Sequence, residues 1–325
     1  MICLGIESTA HTFGAAIVTS DKKILSNCKA MFSTESGGMI LGEVAKHHRN
    51  NADKIISEAL NTANLSWEDI DLISFSRGPG LPPSLKVGKE KAIELSKQHS
   101  KHLIGVNHCV AHLTVGTLTT DAKDPVYLYV SGVNTQIISL ESGLFRIFGE
   151  TLDVGLGNAL DKFGRDAGLG FPAGPKIEQL AKSGKYISLP YAVKGMDVSF
   201  SGIVTKAMQL LKQGNKIEDV CFSLQENCFS MLAEISERAL AHVGKKELLL
   251  IGGVAANKKL CEMLNIMCLE RGAKFFAVPI QYSGDQAAMI AWQGLLEFDS
   301  KKIIPLDKID IFPRERTDEV KVEWE

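Results

Sequence analysis

The chain has 325 residues, of which 45% are hydrophobic and 23% charged, and its formal net charge at pH 7 is −2. This length allows two domains or one large two-lobed domain with an ample core. The near-neutral charge excludes a globally basic nucleic-acid binder, so any such partner must bind a local patch or a surface shared with other subunits. No apolar run suggests a membrane span and the seven cysteines contain no C-x-x-C pair, so we expect a cytoplasmic protein with reduced thiols.

Strands and helices alternate through the first third of the chain. Strands are predicted in order over 1–6, 13–18, 22–31, 70–75 and 103–106, with helices over 43–62 and 85–99 and a further helix after residue 106. The first two strands form a hairpin, and its turn carries Glu7, Ser8 and Thr9.

The same order restarts near residue 126. Strands are predicted over 126–130, 136–140, 144–151, 247–251 and 275–278, and helices over 175–183, 201–213, 217–243, about 258–271 and 283–296. The glycine-rich stretch 155–174 carries no predicted helix. Two β/α halves, each opened by a hairpin, predict a duplicated two-lobed α/β fold with a cleft between the lobes. We expect lobes over 1–117 and 118–304, the second with an insertion, and a polar tail or linker over 305–325.

A pair of histidines is the sharpest chemical signal. His108 and His112 are four residues apart, so on a helix they share one face and can hold one metal ion. No glutamate follows His108, which argues against the His-Glu-x-x-His arrangement of a metalloprotease. The alternative is two partly buried histidines without a metal.

Three turns of small residues, at 7–9, 131–135 and 252–257, each follow a predicted strand. Small residues let backbone N–H groups approach phosphate oxygens, and the hydroxyls add donors. A tight turn would explain any one of them, but three at corresponding places in two halves predict a nucleotide site.

These turns resemble the phosphate and adenosine motifs of the actin/hexokinase/Hsp70 (ASKHA) superfamily. More narrowly, the chain is similar to the universal tRNA threonylcarbamoyladenosine synthase family in its archaeal/eukaryotic KEOPS-subunit form, once described as O-sialoglycoprotein endopeptidases. The matching segments are 4–9, 77–81, 107–112, 129–132, 161–163, 171–175, 199–202, 251–257 and 283–285. Val133 stands where family members often have glycine, and its Cβ could crowd a phosphate or carbamoyl group.

The resemblance implies transfer of a threonylcarbamoyl group from threonylcarbamoyl-AMP to N6 of the adenosine beside the anticodon, in tRNAs that read codons starting with A. It implies one iron or zinc ion per subunit, held by His108, His112, Tyr129 and Asp285. An adenine nucleotide would be bound, with ATP or AMP analogues also accepted, by Tyr129, Val130, Ser131, Gly132, Val133, Asp161, Gly174, Glu178 and Asn257. Without the family match, Tyr129 reads as a core aromatic, Asp285 as a helix cap, and the acids as a solvated face.

Glu7 and two lysines complete the candidate residues. Glu7, in the first hairpin turn, could orient a substrate or act as a base. Lys86 and Lys89 lie on a basic helix that could contact tRNA, although a solvated face explains them as well.

Implied partners are tRNA and KEOPS subunits, including a small dimerising subunit and a small kinase/ATPase that could be fused C-terminally. Three other functions stay open at this point: a metal-dependent endopeptidase, a sugar- or acetate-kinase-like phosphotransferase, and a non-enzymatic scaffold subunit. The endopeptidase leaves the glycine-rich turns unexplained, and the phosphotransferase leaves the metal ligands unexplained.

Overall fold

A computed structural model describes residues 1–33, 40–299 and 305–324. The strands, in chain order, are β1 Ile2–Glu7, β2 Thr12–Thr19, β3 Ile24–Met31, β4 Leu72–Gly78, β5 His102–Asn107, β6 Val126–Val130, β7 Thr135–Glu141, β8 Leu144–Glu150, β9 Val193–Lys194, β10 Asp197–Val198, β11 Glu247–Ile251 and β12 Lys274–Ala277. The α-helices are α1 Leu41–Ala63, α2 Pro82–His99, α3 His108–Thr119, α4 Leu156–Asp166, α5 Gly174–Ala181, α6 Ser201–Lys212, α7 Ile217–Val243, α8 Lys258–Glu270 and α9 Ala287–Asp299.

The chain forms two compact units. Unit 1 comprises Met1–Thr119, Gly143–Phe145 and Gly284–Glu325, and unit 2 comprises Thr120–Ser142 and Arg146–Ser283. No helix within the described ranges combines the length and apolar character that crossing a membrane requires.

Unit 1 is built on a five-stranded sheet in the order β3-β2-β1-β4-β5. The first three strands are antiparallel neighbours, whereas β4 runs parallel to both β1 and β5. Alternate β1 side chains point to opposite faces. Leu4 and Ile6 join the core that includes buried residues of α1 and α2, while Gly5 faces α9. A Cβ on Gly5 would lie 2.4 Å from the Ala291 nitrogen, so glycine permits the close approach of α9.

Unit 2 repeats this plan in the order β12-β11-β6-β7-β8. Here β6 and β7 form the antiparallel hairpin, and β11 runs parallel to β6 and β12. The long helix α7 packs against the sheet and contacts α5, α6 and α8. Three fully buried phenylalanines, Phe163, Phe200 and Phe229, belong to this core. Each sheet thus has three consecutive strands followed by two parallel strands from later in the chain, which is the signature of the predicted duplication.

The expectation of no helix in 155–174 is wrong, because α4 occupies Leu156–Asp166. Its glycines do not break the helix; they allow close packing. A Cβ on Gly155 would lie 2.3 Å from the Val133 carbonyl oxygen. The buried residues Leu156, Leu160 and Phe163 follow helical spacing along α4.

The C-terminal residues pack on unit 1. The sequence placed α9 in the second lobe and expected a tail over 305–325, yet α9 contacts β1, β2 and β4. Ile309, Val320 and Val322 are buried, and the Val322 N–H donates to the Gly143 carbonyl at 2.8 Å. Buried apolar residues therefore anchor this segment in unit 1, although its charged composition alone predicts a solvent-exposed tail. Residues 300–304 and 325 of the predicted ranges lie outside the described residues.

Candidate metal centre and nucleotide residues

The two histidines meet an aspartate inside unit 1. His108 and His112 occupy the first turns of α3, and their ring centroids are 4.6 Å apart. Asp285, two residues before α9, places Oδ1 at 3.5 Å from Nε2 of His108 and 3.3 Å from Nε2 of His112. One candidate ligand atom from each residue lies within 4.8 Å of the others. The predicted i, i+4 pair and Asp285 are thus brought together.

Glu7 lies behind His108. Its Oε2 is 2.9 Å from Nδ1 of His108, and its Oε1 accepts hydrogen bonds from the backbone N–H and the hydroxyl of Thr9. The Glu7 side chain is fully buried. A carboxylate that holds one imidazole nitrogen fixes the ring's orientation and leaves the other nitrogen for a ligand. This geometry favours an orienting role for Glu7. The hydroxyl of Thr9, predicted as a donor in a phosphate-binding turn, donates here to Glu7.

Burial and mutual contacts shift the pKa values of His108, His112 and Asp285. Burial lowers the pKa of His108. The charge and hydrogen bond of Glu7, together with the charge of Asp285, outweigh burial and raise this pKa to about 9. Burial lowers the pKa of His112, against the opposing hydrogen bond from Asp285. Burial also raises the pKa of Asp285, but the His112 hydrogen bond and both histidine charges outweigh it and hold that pKa below its usual range. The two carboxylates therefore favour a positive charge between them.

The donor set fits a transition metal. Two imidazoles and a carboxylate suit zinc or iron, whereas calcium and magnesium prefer sites made of oxygen atoms alone. Three protein ligands also match an open catalytic site, which keeps a position for another ligand or substrate. His108, His112 and Asp285 could therefore hold iron or zinc.

Tyr129 belongs to unit 2, where it is buried on β6 opposite Gln136 of β7 and Ile251 of β11. Its ring lies beside Gly252: a Cβ on Gly252 would be 3.2 Å from Cδ2 of Tyr129. The two glycine-containing turns of unit 2 thus begin on neighbouring strands.

The turn after β6 is closed by hydrogen bonds. The Ser131 N–H donates to the Asn134 carbonyl at 2.8 Å, and the Asn134 N–H donates to the Ser131 hydroxyl at 3.0 Å. The Asn158 N–H of α4 donates to the Gly132 carbonyl at 3.0 Å. Val133 is 71% exposed, so its side chain points away from the packed part of the turn. Val130, the last residue of β6, is fully buried next to the turn.

The remaining predicted nucleotide residues form local contacts in unit 2. Asp161 accepts the Ala173 N–H at 2.8 Å and so fixes the entry to α5 beside Gly174. Glu178 accepts the Lys258 N–H at 3.0 Å, and Asn257 caps α8 by accepting the Leu260 N–H at 3.1 Å.

A cavity of about 490 Å³ adjoins these contacts. Its lining includes Glu178 on α5, Gln225 on α7 and Lys258 on α8. Gln225 also accepts a hydrogen bond from the Asn257 amide at 3.2 Å, which links Asn257 to the cavity wall. Sequence reasoning missed Gln225, because a buried polar residue within a long helix carries no local signal of its partner.

The predicted tRNA-contact lysines both have acidic neighbours. Lys89 Nζ is 2.9 Å from Asp310, and Lys86 Nζ is 3.7 Å from Glu90. These pairs reduce the positive charge that the helix α2 presents to a phosphate backbone.

His48 supports the turn between β1 and β2, and this support depends on pH. It is fully buried on α1, its Nε2 lies 2.9 Å from the Ala10 carbonyl, and its ring packs edge-on against Phe13. Burial lowers its pKa to about 4, against the opposing Ala10 hydrogen bond.

We expect His48 to make the metal-free protein acid-sensitive. Because the unfolded side chain titrates near 6.5, the unfolded state binds the proton first as pH falls. The stabilising contribution is complete above pH 6.5 and declines by roughly 3 kcal/mol as pH falls to about 4. Urea unfolding of His48→Gln across this range should show a flatter stability profile, with exposed His102→Gln as the control. A His48→Gln profile parallel to that of the wild type would contradict this assignment.

The chain is similar in sequence to proteins of tRNA threonylcarbamoyladenosine biosynthesis. The sequence profile of the tRNA N6-adenosine threonylcarbamoyltransferase (TsaD) family matches residues 23–292. The tRNA N6-adenosine threonylcarbamoyltransferase of Thermococcus kodakarensis is 50% identical over 327 residues, covering 100% of both chains. A probable bifunctional tRNA threonylcarbamoyladenosine biosynthesis protein of Methanobrevibacter smithii is 51% identical over 324 residues. The alignment covers 100% of this chain but 60% of that longer relative.

Solved structures share the fold at low sequence identity. Thermococcus kodakarensis HypF matches with a TM-score of 0.57 and 14% identity, over 85% of this chain and 44% of HypF. The activator of the 2-hydroxyisocaproyl-CoA dehydratase from Clostridium difficile matches with a TM-score of 0.52 and 11% identity, over 94% of this chain and 99% of the activator. The predicted α/β ASKHA fold is confirmed. The full-length identity and the profile match further establish that the chain belongs to the tRNA N6-adenosine threonylcarbamoyltransferase family.

Proposed function

We propose that this chain transfers the threonylcarbamoyl group of threonylcarbamoyl-AMP to N6 of the adenosine adjacent to the anticodon, in tRNAs that read codons starting with A. Identity of about 50% over the whole length of family members carries this proposal. The juxtaposition of His108, His112 and Asp285 supports it chemically.

The reaction forms one bond and breaks one. The N6 amine attacks the carbamoyl carbon, the bond from that carbon to the AMP phosphate oxygen breaks, and AMP leaves with the electron pair while N6 loses a proton. Because an adenine amine is a weak nucleophile, close positioning of the two substrates must supply much of the acceleration.

The metal part of the proposal assigns His108, His112 and Asp285 as ligands of iron or zinc, with Tyr129 as the fourth. When bound, such an ion supplies Lewis-acid stabilisation of the charge that develops on a carbonyl or phosphoryl oxygen. Glu7 orients His108 through the 2.9 Å contact to Nδ1. We therefore favour Glu7 as an orienting residue over its role as a base.

Unit 2 is proposed to hold the nucleotide. Backbone N–H groups of the turn formed by Ser131, Gly132 and Val133, flanked by Tyr129 and Val130, would meet phosphate oxygens. Asp161 and Glu178 would accept from ribose hydroxyls, because a carboxylate can accept from a diol. Gly174 allows close backbone approach, and Asn257 contacts the nucleotide from the start of α8.

We propose tRNA and KEOPS subunits as the partners of this chain. The bifunctional name and greater length of some relatives support cooperation with a second activity, which we propose to be a small kinase/ATPase. The family resemblance adds a dimerising subunit of KEOPS. We place the chain in the cytoplasm, where tRNA is modified, and propose Lys86 and Lys89 as minor tRNA contacts.

A reconstitution with nucleoside mass spectrometry tests the function. The chain, threonylcarbamoyl-AMP, tRNA and partner subunits should yield modified adenosine and AMP. Asp285→Ala should lower turnover about 100-fold while changing AMP affinity little, because charge stabilisation matters most in the transition state. His102→Gln, at an exposed position on β5 to which no substrate contact is assigned, serves as the control for folding and handling.

Three outcomes would oppose the proposal. If Asp285→Ala turned over at the wild-type rate, the reaction would not need the metal cluster. Cleavage of protein substrates without tRNA modification would favour the endopeptidase, and phosphorylation of a small acceptor would favour the phosphotransferase.

A further inference from the structure

Arg77 lies near the end of β4, where it begins the Arg-Gly-Pro-Gly-Leu motif, and it has no part in the reaction proposed above. Its Nε and Nη2 donate to the two carboxylate oxygens of Glu315 at 3.0 and 2.8 Å, and its Nη1 donates to the Gly105 carbonyl at 3.0 Å. The two side chains are only 16% and 17% exposed. A two-point contact between guanidinium and carboxylate fixes the orientation of both groups.

The backbone of the C-terminal segment is held at the same place. The Phe312 N–H donates to the Arg77 carbonyl at 2.7 Å, and the Gly80 N–H donates to the Pro313 carbonyl at 3.2 Å. Gly78 has a φ of 153°, and a Cβ there would lie 2.0 Å from the Phe312 carbonyl oxygen. The glycines of the motif therefore let residues 312–315 lie directly against the end of β4, which delivers Glu315 to Arg77.

Glu315 also reaches the start of the metal-bearing helix. Asn107 is fully buried; its Nδ2 donates to Oε2 of Glu315 at 3.0 Å, and its Oδ1 accepts the Val110 N–H at 3.0 Å. An ionised carboxylate can only accept, so it holds the amide with its NH₂ toward Glu315. The amide oxygen must then face the free N–H groups of α3, where it acts as an N-cap.

We propose that Arg77 and Glu315 are positioning residues for the metal centre, acting through Asn107 on the first turn of α3. This inference rests on the metal centre of the proposed function. His108 follows Asn107 directly, and His112 lies one turn further, so a shift of the capped turn moves both imidazoles together. Metal ligands need placement within about 0.5 Å, which makes their supporting contacts consequential.

Cobalt titration of the metal-free full-length chain tests the inference. Loss of an outer contact of this kind weakens metal binding by about tenfold to 100-fold. Glu315→Ala and Asn107→Ala should each weaken Co²⁺ affinity about tenfold and change the visible Co²⁺ spectrum in the same way. The double variant should bind Co²⁺ about as tightly as the single variant with the lower affinity, because the two substitutions interrupt the same series of contacts.

Asp310→Ala is the matched control. Asp310 lies on the same C-terminal segment, but its exposed carboxylate pairs with Lys89 at 2.9 Å. It should leave the affinity and spectrum unchanged. If circular dichroism shows that Glu315→Ala is unfolded, Glu315→Gln replaces it. Glutamine keeps the side-chain length but removes the charge that fixes Arg77. The expected loss of Co²⁺ affinity is then threefold to tenfold.

Two results would overturn the inference. One is wild-type Co²⁺ affinity in a folded Glu315 variant. The other is a double variant whose loss of Co²⁺ affinity equals the product of the two single-variant losses. Because the titration contains no nucleotide or tRNA, it is independent of the transfer assay. Co²⁺ binding that survives His112→Ala would instead reject the metal centre itself, and with it the inference.

Discussion

Replacing both histidines in His108→Ala/His112→Ala should abolish metal binding at the cluster and lower threonylcarbamoyl transfer roughly 1000-fold. A bound metal contributes several kcal/mol of charge stabilisation, and 1.36 kcal/mol corresponds to one factor of ten in rate. The fold should persist, because ligands of an open catalytic site support chemistry more than the core. Elemental analysis and single-turnover transfer assays measure the two effects.

His102→Gln is a suitable control for this pair. His102 lies at an exposed position on β5, so its replacement leaves the cluster intact. It should retain full metal content and turnover. Stoichiometric metal in the double-alanine variant would show that the ion binds elsewhere, and unimpaired transfer would show that the reaction does not need the cluster.

The histidine pair could be read from sequence because its geometry is local. A spacing of four residues on a helix that follows a strand places both rings on one face whatever the rest of the chain does. Asp285 is different: it lies 173 residues beyond His112, and only the family resemblance joined it to the pair.

The contacts that tune the cluster could not be predicted in this way. Glu7 is 101 residues from His108, and either a substrate contact or a catalytic base would have explained a carboxylate in a hairpin turn. Its contact with His108 follows from the parallel pairing of β1, β4 and β5, which brings the ends of β1 and β5 to one edge of the sheet. Long-range pairing of this kind leaves no periodic signal in either segment.

Glycine was the main source of error in the fold. The glycine-rich composition of 155–174 predicts no helix, yet Gly155 and Gly157 lie where a Cβ would meet the backbone of the 131–134 turn. The same residue type marks a turn, a helix break or a close approach, and composition cannot separate these. The apolar spacing of Leu156, Leu160 and Phe163 was the more reliable signal, since it reports which face is buried.

The charged C-terminal segment illustrates a related difficulty. Its charges suggested solvent, but Glu315 is held by Arg77 and Asn107, and the segment closes over the end of β4. A charge that has a fixed partner behaves as a structural group, whereas an unpaired one would be costly to bury. The partner cannot be found without the fold.

Gly252→Ala should destabilise unit 2 by about 2–4 kcal/mol and weaken AMP binding at least tenfold. Gly252 adopts a φ of +94°, and an added Cβ would lie 2.3 Å from the Val130 carbonyl oxygen. The left-handed backbone and the clash act together, so the turn must move away from β6. That movement displaces both the start of the segment leading to Asn257 and the strand end that carries Tyr129.

Gly253→Ala is the matched control for stability, because a Cβ on Gly253 would have no described atom within 4 Å. Thermal unfolding followed by circular dichroism should separate the two variants, with Gly253→Ala close to the wild type. AMP titration then links the backbone conformation to ligand binding. A Gly252→Ala protein that retained both stability and AMP affinity would mean that the turn relaxes without cost, and that its conformation is not what shapes the nucleotide site.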